Sequence, residues 1–66
     1  MKILLNNEST VLDGNLTIKE LIINIRVNHN HYAVEVNGQI IPKSLHTVFI
    51  LKEGDKVEIV TAIGGG

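Results

Sequence analysis

Few residues of this 66-residue chain have the type and spacing to do chemistry. There is no cysteine, which removes disulfides, thiolate metal sites, iron–sulfur ligation and a cysteine nucleophile together. His29 and His31 lie two apart in one polar stretch and His46 stands in another. Without a carboxylate or thiol at ligand spacing, all three read as solvated loop residues and not as a zinc site. Ser9, Ser44 and the threonines have no base at motif spacing, so none reads as a nucleophile. Glu53 and Asp55 flank Gly54, where a turn role outweighs acid–base catalysis. No catalytic residue, metal ligand or resident cofactor is expected from the chain's own side chains.

What remains is the last stretch, Thr61-Ala62-Ile63-Gly64-Gly65-Gly66. Three terminal glycines are also what a loose end looks like, since disorder concentrates at termini. They fail as a phosphate-cradling loop, because no helix N-terminus follows to donate amides. As a reactive group they make sense. A tail without side chains fits a channel closed to bulkier residues and adopts conformations barred to them. Four residues, Ile63 to Gly66, reach about 13–14 Å when extended, enough to cross a partner's surface layer. The Gly66 carboxylate is ionised and a poor electrophile at neutral pH, so it needs activation, for instance by adenylation. Ile63, Gly64 and Gly65 would occupy the partner's channel.

The elements that must carry this tail read as one α+β domain. Met1 to Leu5 and Ser9 to Leu12 are short apolar runs around a polar Asn6-Asn7-Glu8 turn, a hairpin pattern. If Met1, Ile3 and Leu5 face the core, Leu4 points the other way. Asp13-Gly14-Asn15 breaks the second run. Thr17-Ile18-Lys19-Glu20 then has capping-box spacing, and Ile18, Leu21, Ile22 and Ile25 recur as one helical stripe. Five β-branched residues between Ile18 and Val27 make this a poor helix on propensity, so packing must hold it. Ile23 and Val27 lie off the stripe, which leaves self-association through them open. A strand over Leu21 to Val27 is the competing reading.

Strand character resumes at Ala33-Val34-Glu35-Val36. Asn37-Gly38 is the strongest hairpin signal in the chain, because a tight primed turn needs positive φ at both positions. Gln39-Ile40-Ile41 returns and Pro42 closes that strand. Lys43 to Thr47 is a polar connector with room for one helical turn, and Val48 to Leu51 brings the chain back to the core. Glu53-Gly54-Asp55-Lys56 turns into the last strand, Val57 to Ala62, with Val57 and Ile59 on one face and Glu58, Val60 and Ala62 on the other. By parity Leu4, Val60 and Ala62 lie on the outer sheet face, and if the first and last strands are neighbours they form an apolar docking patch leading into the tail.

Composition narrows the partners. Six Lys and Arg against seven Asp and Glu, without blocks, leave no electrostatic footprint for nucleic acid or anionic membrane. Tyr32 and Phe49 are the only aromatic residues besides histidine, too few for stacking platforms. No apolar run would span a bilayer and the first residues lack a signal-peptide profile, so a cytoplasmic protein, monomeric when free, is expected.

The ordered set Val34-Glu35-Val36-Asn37-Gly38-Gln39-Ile40-Ile41-Pro42, then Glu53-Gly54-Asp55-Lys56-Val57-Glu58-Ile59-Val60, then the terminal glycines, resembles the ThiS family, the sulfur carriers of thiamin thiazole biosynthesis. The resemblance covers essentially the whole chain. It implies a ubiquitin-like β-grasp domain over residues 1–63 with a glycine tail over 64–66, a mixed sheet of about four to five strands and one main helix on one face. It places the first and last strands parallel and adjacent at the sheet centre. It also implies chemistry in which the chain is a carrier and not an enzyme. An adenylating enzyme of the ubiquitin-activating type uses ATP to convert the Gly66 carboxylate to an acyl adenylate. Sulfur derived from cysteine by a donor enzyme replaces AMP to give a thiocarboxylate, and thiazole synthase takes the sulfur. The third glycine, Gly64, departs from the commonest pattern of the family. Molybdopterin sulfur carriers and ubiquitin-like modifiers conjugated through Gly66 share tail and fold and remain alternatives. A β-grasp binding module without covalent chemistry is another.

Overall fold

The computed structural model describes residues 1–26 and 31–61. Strand β1 (Lys2–Leu5) and strand β2 (Glu8–Val11) form an antiparallel hairpin in which Leu5 faces Glu8 and Ile3 faces Thr10. The loop is two residues long, so Glu8, expected in the turn, belongs to the strand. Asn6 and Asn7 both have positive φ, 49° and 69°. Two such residues give the primed turn whose twist matches the flanking strands, and asparagine tolerates that region better than most side chains.

Helix α1 (Ile18–Asn24) starts where the capping box predicts. The Thr17 hydroxyl accepts from the Glu20 amide at 3.1 Å, and the Glu20 carboxylate accepts from the Thr17 amide at 2.8 Å. The next free amides of the first turn are met from outside the helix. Ile18 N–H donates to the Phe49 carbonyl (3.0 Å) and Lys19 N–H to that of His46 (2.9 Å). A sequence of modest helical propensity is thus held by capping and packing. The helix is shorter than the apolar stripe suggests. Ile25 is its C-cap and Arg26 turns the chain with φ 58°. Of the stripe, Ile18, Leu21 and Ile22 are buried while Ile25 is exposed, because the helix stops before that position can face the core.

Strands β3 (Tyr32–Val36) and β4 (Gln39–Ile40) pair around Asn37-Gly38, with φ 53° and 86°. After Pro42 a 3-10 turn, Lys43–Leu45, occupies part of the expected connector. In the run Val48 to Leu51 only Leu51 is fully buried and Phe49 partly so, whereas Val48 and Ile50 are exposed. This run pairs with the segment that enters the helix, through the isolated bridge of Thr17 with Ile50, Ile18 N–H on the Phe49 carbonyl and Leu51 N–H on the Leu16 carbonyl. Strand β5 (Lys56–Thr61) completes the sheet.

The strand order is β2-β1-β5-β3-β4, with β1 parallel to β5 and β5 antiparallel to β3. That is the β-grasp arrangement. The inner face carries Ile3, Val34, Val36 and Val57 against Ile18, Leu21 and Ile22 of the helix, with Ile41 and Leu51 closing the sides. Parity along β5 follows the sequence expectation: Val57 is buried and Ile59 packs on the core, while Val60 is 61% exposed on the outer face.

His46 overturns the expectation of a solvated loop. It is 3% exposed, with Nε2 2.9 Å from the Ile41 carbonyl, beneath the ring of Tyr32. A proton on Nε2 satisfies that carbonyl, and Nδ1 has no hydrogen-bond partner among the described residues. The 3-10 turn causes this, because it folds the chain back so that residue 46 lands under the sheet. His31 is exposed, as expected, and His29 lies outside the described residues.

Candidate functional site: the C-terminal end of the central strand

Strand β5 is the element that delivers the tail, and its register shows how firmly. On the β3 side, pairing runs from Val36 opposite Val57 to Tyr32 opposite Thr61, the last described residue. On the β1 side the main-chain ladder is shorter, with Leu4 opposite Lys56 and Leu5 opposite Val57, and Asn6 N–H donating to the Val57 carbonyl at 2.9 Å. There the backbone of β1 leaves into its turn. The Asn6 side chain takes over: its Oδ1 accepts from Ile59 N–H at 2.9 Å, and its Nδ2 lies 3.5 Å from the Ile59 carbonyl. The Ile59 N–H fixes which end of the amide faces it, since only the oxygen can accept.

Register spaces the two described members of the expected docking patch along the outer face. Leu4, 42% exposed, stands on the outer face beside Lys56. Val60 stands four residues further along β5, about 13 Å at strand rise, opposite the exposed Ala33. Between them lie Lys56 and Glu58, whose side chains approach to 3.9 Å. The apolar neighbour of Val60 is therefore Ala33 of β3, which sequence parity could not supply without the register. Ala62, Ile63, Gly64, Gly65 and Gly66 lie outside the described residues.

On the inner face the residue opposite Thr61 is Tyr32. Its ring stacks on His46 with centroids 6.0 Å apart and an interplanar angle of 27°, and the Lys43 ammonium lies 4.7 Å from its centroid. A cation over an aromatic face is attracted by the ring quadrupole. This group braces the inner side of the strand end, and its members come from two sequence segments, β3 and the 3-10 turn with its C-cap. Glu53 and Asp55 have the turn roles expected of them. Glu53 accepts from Lys2 N–H, and Asp55 accepts from Lys52 N–H and the Asn37 side chain. No cluster of three metal-ligating side chains exists among the described residues. Nor is any helix there long and apolar enough to cross a membrane.

Fold and site define a ubiquitin-like β-grasp domain whose central strand runs out toward a glycine tail. The ThiS family model matches residues 3–66, and the chain belongs to that family. A crystal structure of the thiamine biosynthesis protein ThiS from Geobacter metallireducens is similar over all of both chains, with a TM-score of 0.87 and 29% identity. A thiazole synthase of Paramagnetospirillum magneticum is 38% identical and one of Magnetococcus marinus 32%, each over the full 66 residues. The chain spans about a fifth of the length of these two synthases. The ycf40 protein of Porphyra purpurea is 30% identical, and the chain covers 93% of it.

Proposed function

We propose that this chain is a sulfur carrier for thiazole formation in thiamine biosynthesis, with Gly66 as the modified residue. The observation that carries the reading is its likeness, end to end, to a thiamine biosynthesis protein, in a family whose model matches through to Gly66. In this reading a Gly66 carboxylate oxygen attacks the α-phosphorus of ATP in an adenylating enzyme, releasing pyrophosphate. Sulfide-level sulfur derived from cysteine then attacks the acyl carbon, forming the C–S bond as the bond to AMP breaks and AMP leaves. The resulting thiocarboxylate is the nucleophile delivered to thiazole synthase, and the two synthases that contain a similar segment support that partner. The domain is a handle and co-substrate, acting in the cytoplasm as a free monomer, with Ile63, Gly64 and Gly65 in the partner's channel. Val60 and Ala62 belong to the docking surface next to the tail, with Leu4 at its far edge.

The test is intact mass of protein isolated from its own host, or after incubation with the host's adenylating enzyme, ATP and a sulfur donor. Exchanging one carboxyl oxygen for sulfur adds about 16 Da, the same nominal shift as oxidation of Met1 to its sulfoxide. Alkylation separates the two cleanly, because the chain contains no cysteine and a thiol-directed reagent has only the thiocarboxylate to modify. The expected result is one alkylated group at Gly66. Isopeptide-linked adducts in its place would make the chain a protein modifier. Sulfur delivered to a pterin precursor and not to thiazole would move it to the molybdenum pathway.

A further inference from the structure

The turn between β1 and β2 does more than reverse the chain. In a parallel pair the residue after Leu5 would use its own carbonyl to accept from Ile59 N–H, two residues beyond the carbonyl its amide already meets. Asn6 has φ 49°, so its backbone has left the strand, yet its side-chain Oδ1 occupies the acceptor role at 2.9 Å. The side chain thus continues the β1 edge by one position that the main chain cannot supply. Ile59 is two residues before Thr61, where the described strand ends.

We propose that Asn6 is a positioning residue for the C-terminal tail: its amide clasps β5 on the β1 side at Ile59 and so fixes where the rigid strand ends. This rests on the reading that Gly66 is the modified group. Without the clasp, the main chain from Ile59 to Thr61 has, among the described residues, β3 alone as its ladder partner. Each residue that loosens must be ordered again when the tail enters the partner's channel. The cost therefore falls on productive binding and not on the chemical step, which takes place seven positions further on at Gly66.

Asn6→Gly tests this, because glycine keeps the positive φ of the turn and removes only the amide. Asn6→Asp is the conservative partner: it keeps an acceptor for Ile59 N–H and loses only the long Nδ2 contact. Two measurements are needed. Amide hydrogen exchange is read at Ile59 and referenced to Leu51, whose N–H is bonded to the Leu16 carbonyl at 2.8 Å in the core and reports global opening. Adenylation by the host's adenylating enzyme is read as ATP-dependent pyrophosphate release at varied carrier concentration. In Asn6→Gly, Ile59 exchange should rise roughly tenfold relative to Leu51 and KM for the carrier roughly fivefold, with kcat unchanged. Asn6→Asp should restore both to within about twofold.

Faster exchange at Ile59 with an unchanged KM would make Asn6 a sheet fastener only and overturn the proposal. So would unchanged exchange at Ile59, or an effect on kcat alone. If the wild-type chain releases no pyrophosphate with an enzyme that is active on another carrier, the tail reading itself fails and the positioning role falls with it. An active wild type with an insensitive Asn6→Gly removes the positioning role alone.

Discussion

Strand β5 is fastened at both ends by an asparagine in a two-residue turn, and the two ends differ in how much else holds them. At its start, Asn37 N–H donates to the Lys56 carbonyl at 2.8 Å and Asn37 Oδ1 accepts from Lys56 N–H at 2.9 Å. The same side chain reaches Asp55, whose carboxylate also accepts from Lys52 N–H, while Leu4 N–H takes the Asp55 carbonyl. At its far end Asn6 supplies one good acceptor and one long contact on the β1 side. The start lies next to the buried Val57 and the end next to the exposed Val60. One device thus serves two purposes. Built redundantly, it anchors the strand in the fold; used singly, it steadies the segment that leads to the tail, which in the proposed function is the part a partner takes hold of.

The largest effect expected from probing this contrast is at the anchored end. Asn37→Gly keeps the turn conformation and removes the acceptor for Lys56 N–H together with the bond to Asp55. Urea unfolding should show a loss of about 1–2 kcal/mol of global stability, since two hydrogen bonds at about 1 kcal/mol each are partly replaced by water. Exchange at Leu51 should rise by the factor that this energy sets, and Ile59, which opens by local release of the Asn6 clasp, should rise less. A selective rise at Ile59 would break the contrast, because it would make the two ends one unit.

A smaller effect, and one on binding, is expected at the exposed end. Val60→Glu places a charge on the outer face opposite Ala33, where the parent side chain is 61% exposed. The Kd for the adenylating enzyme or for thiazole synthase, by isothermal titration, should rise about tenfold, or roughly 1.4 kcal/mol. Stability should change by about 1 kcal/mol or less, the span of strand propensities. Leu4→Glu, beside Lys56 and about 13 Å from Val60 at strand rise, should have the smaller effect on Kd. The opposite ranking would put docking at the β1 edge and away from the tail.

How much of this was legible in the sequence follows from the range of the interactions. Local chemistry was readable: the capping box at Thr17 and Glu20, the Asn37-Gly38 turn, the closing role of Pro42 and the alternation that exposes Leu4 and Val60. These depend on neighbours within a few positions. Parity also put Leu4 and Val60 on one outer face, but their spacing of about 13 Å along β5 was not readable, because face is local while register is not. Asn6 was readable as a turn residue, but its reach to Ile59, 53 positions away, was not. His46 was misread for the same reason. Its polar neighbours suggest a loop, and its burial is set by Tyr32 and Ile41, which only the fold brings to it. The glycine tail is the converse case, since its meaning came from resemblance and elimination and the fold adds only the strand that leads to it.

The smallest effect expected acts on neither end of β5 directly, which makes it a control for both. Helix α1 ends with Arg26 at φ 58°, exposed, in the left-handed region that disfavours a side chain with a Cβ. Glycine is the residue that position prefers, and its strain relief there is partly offset by the entropy it adds to the unfolded chain. Arg26→Gly should therefore stabilise the protein by about 0.5–1 kcal/mol in urea unfolding. The gain belongs to the helix terminus, so global opening read at Leu51 should slow by the factor that this energy sets, and Ile59 should slow only as far as its exchange depends on global opening. If Ile59 exchanges through a local release of the Asn6 clasp, its rate stays put while that of Leu51 falls. Equal slowing at both sites would mean that the far end of β5 opens only with the whole domain, and the contrast between a redundantly held end and a singly held one would be lost.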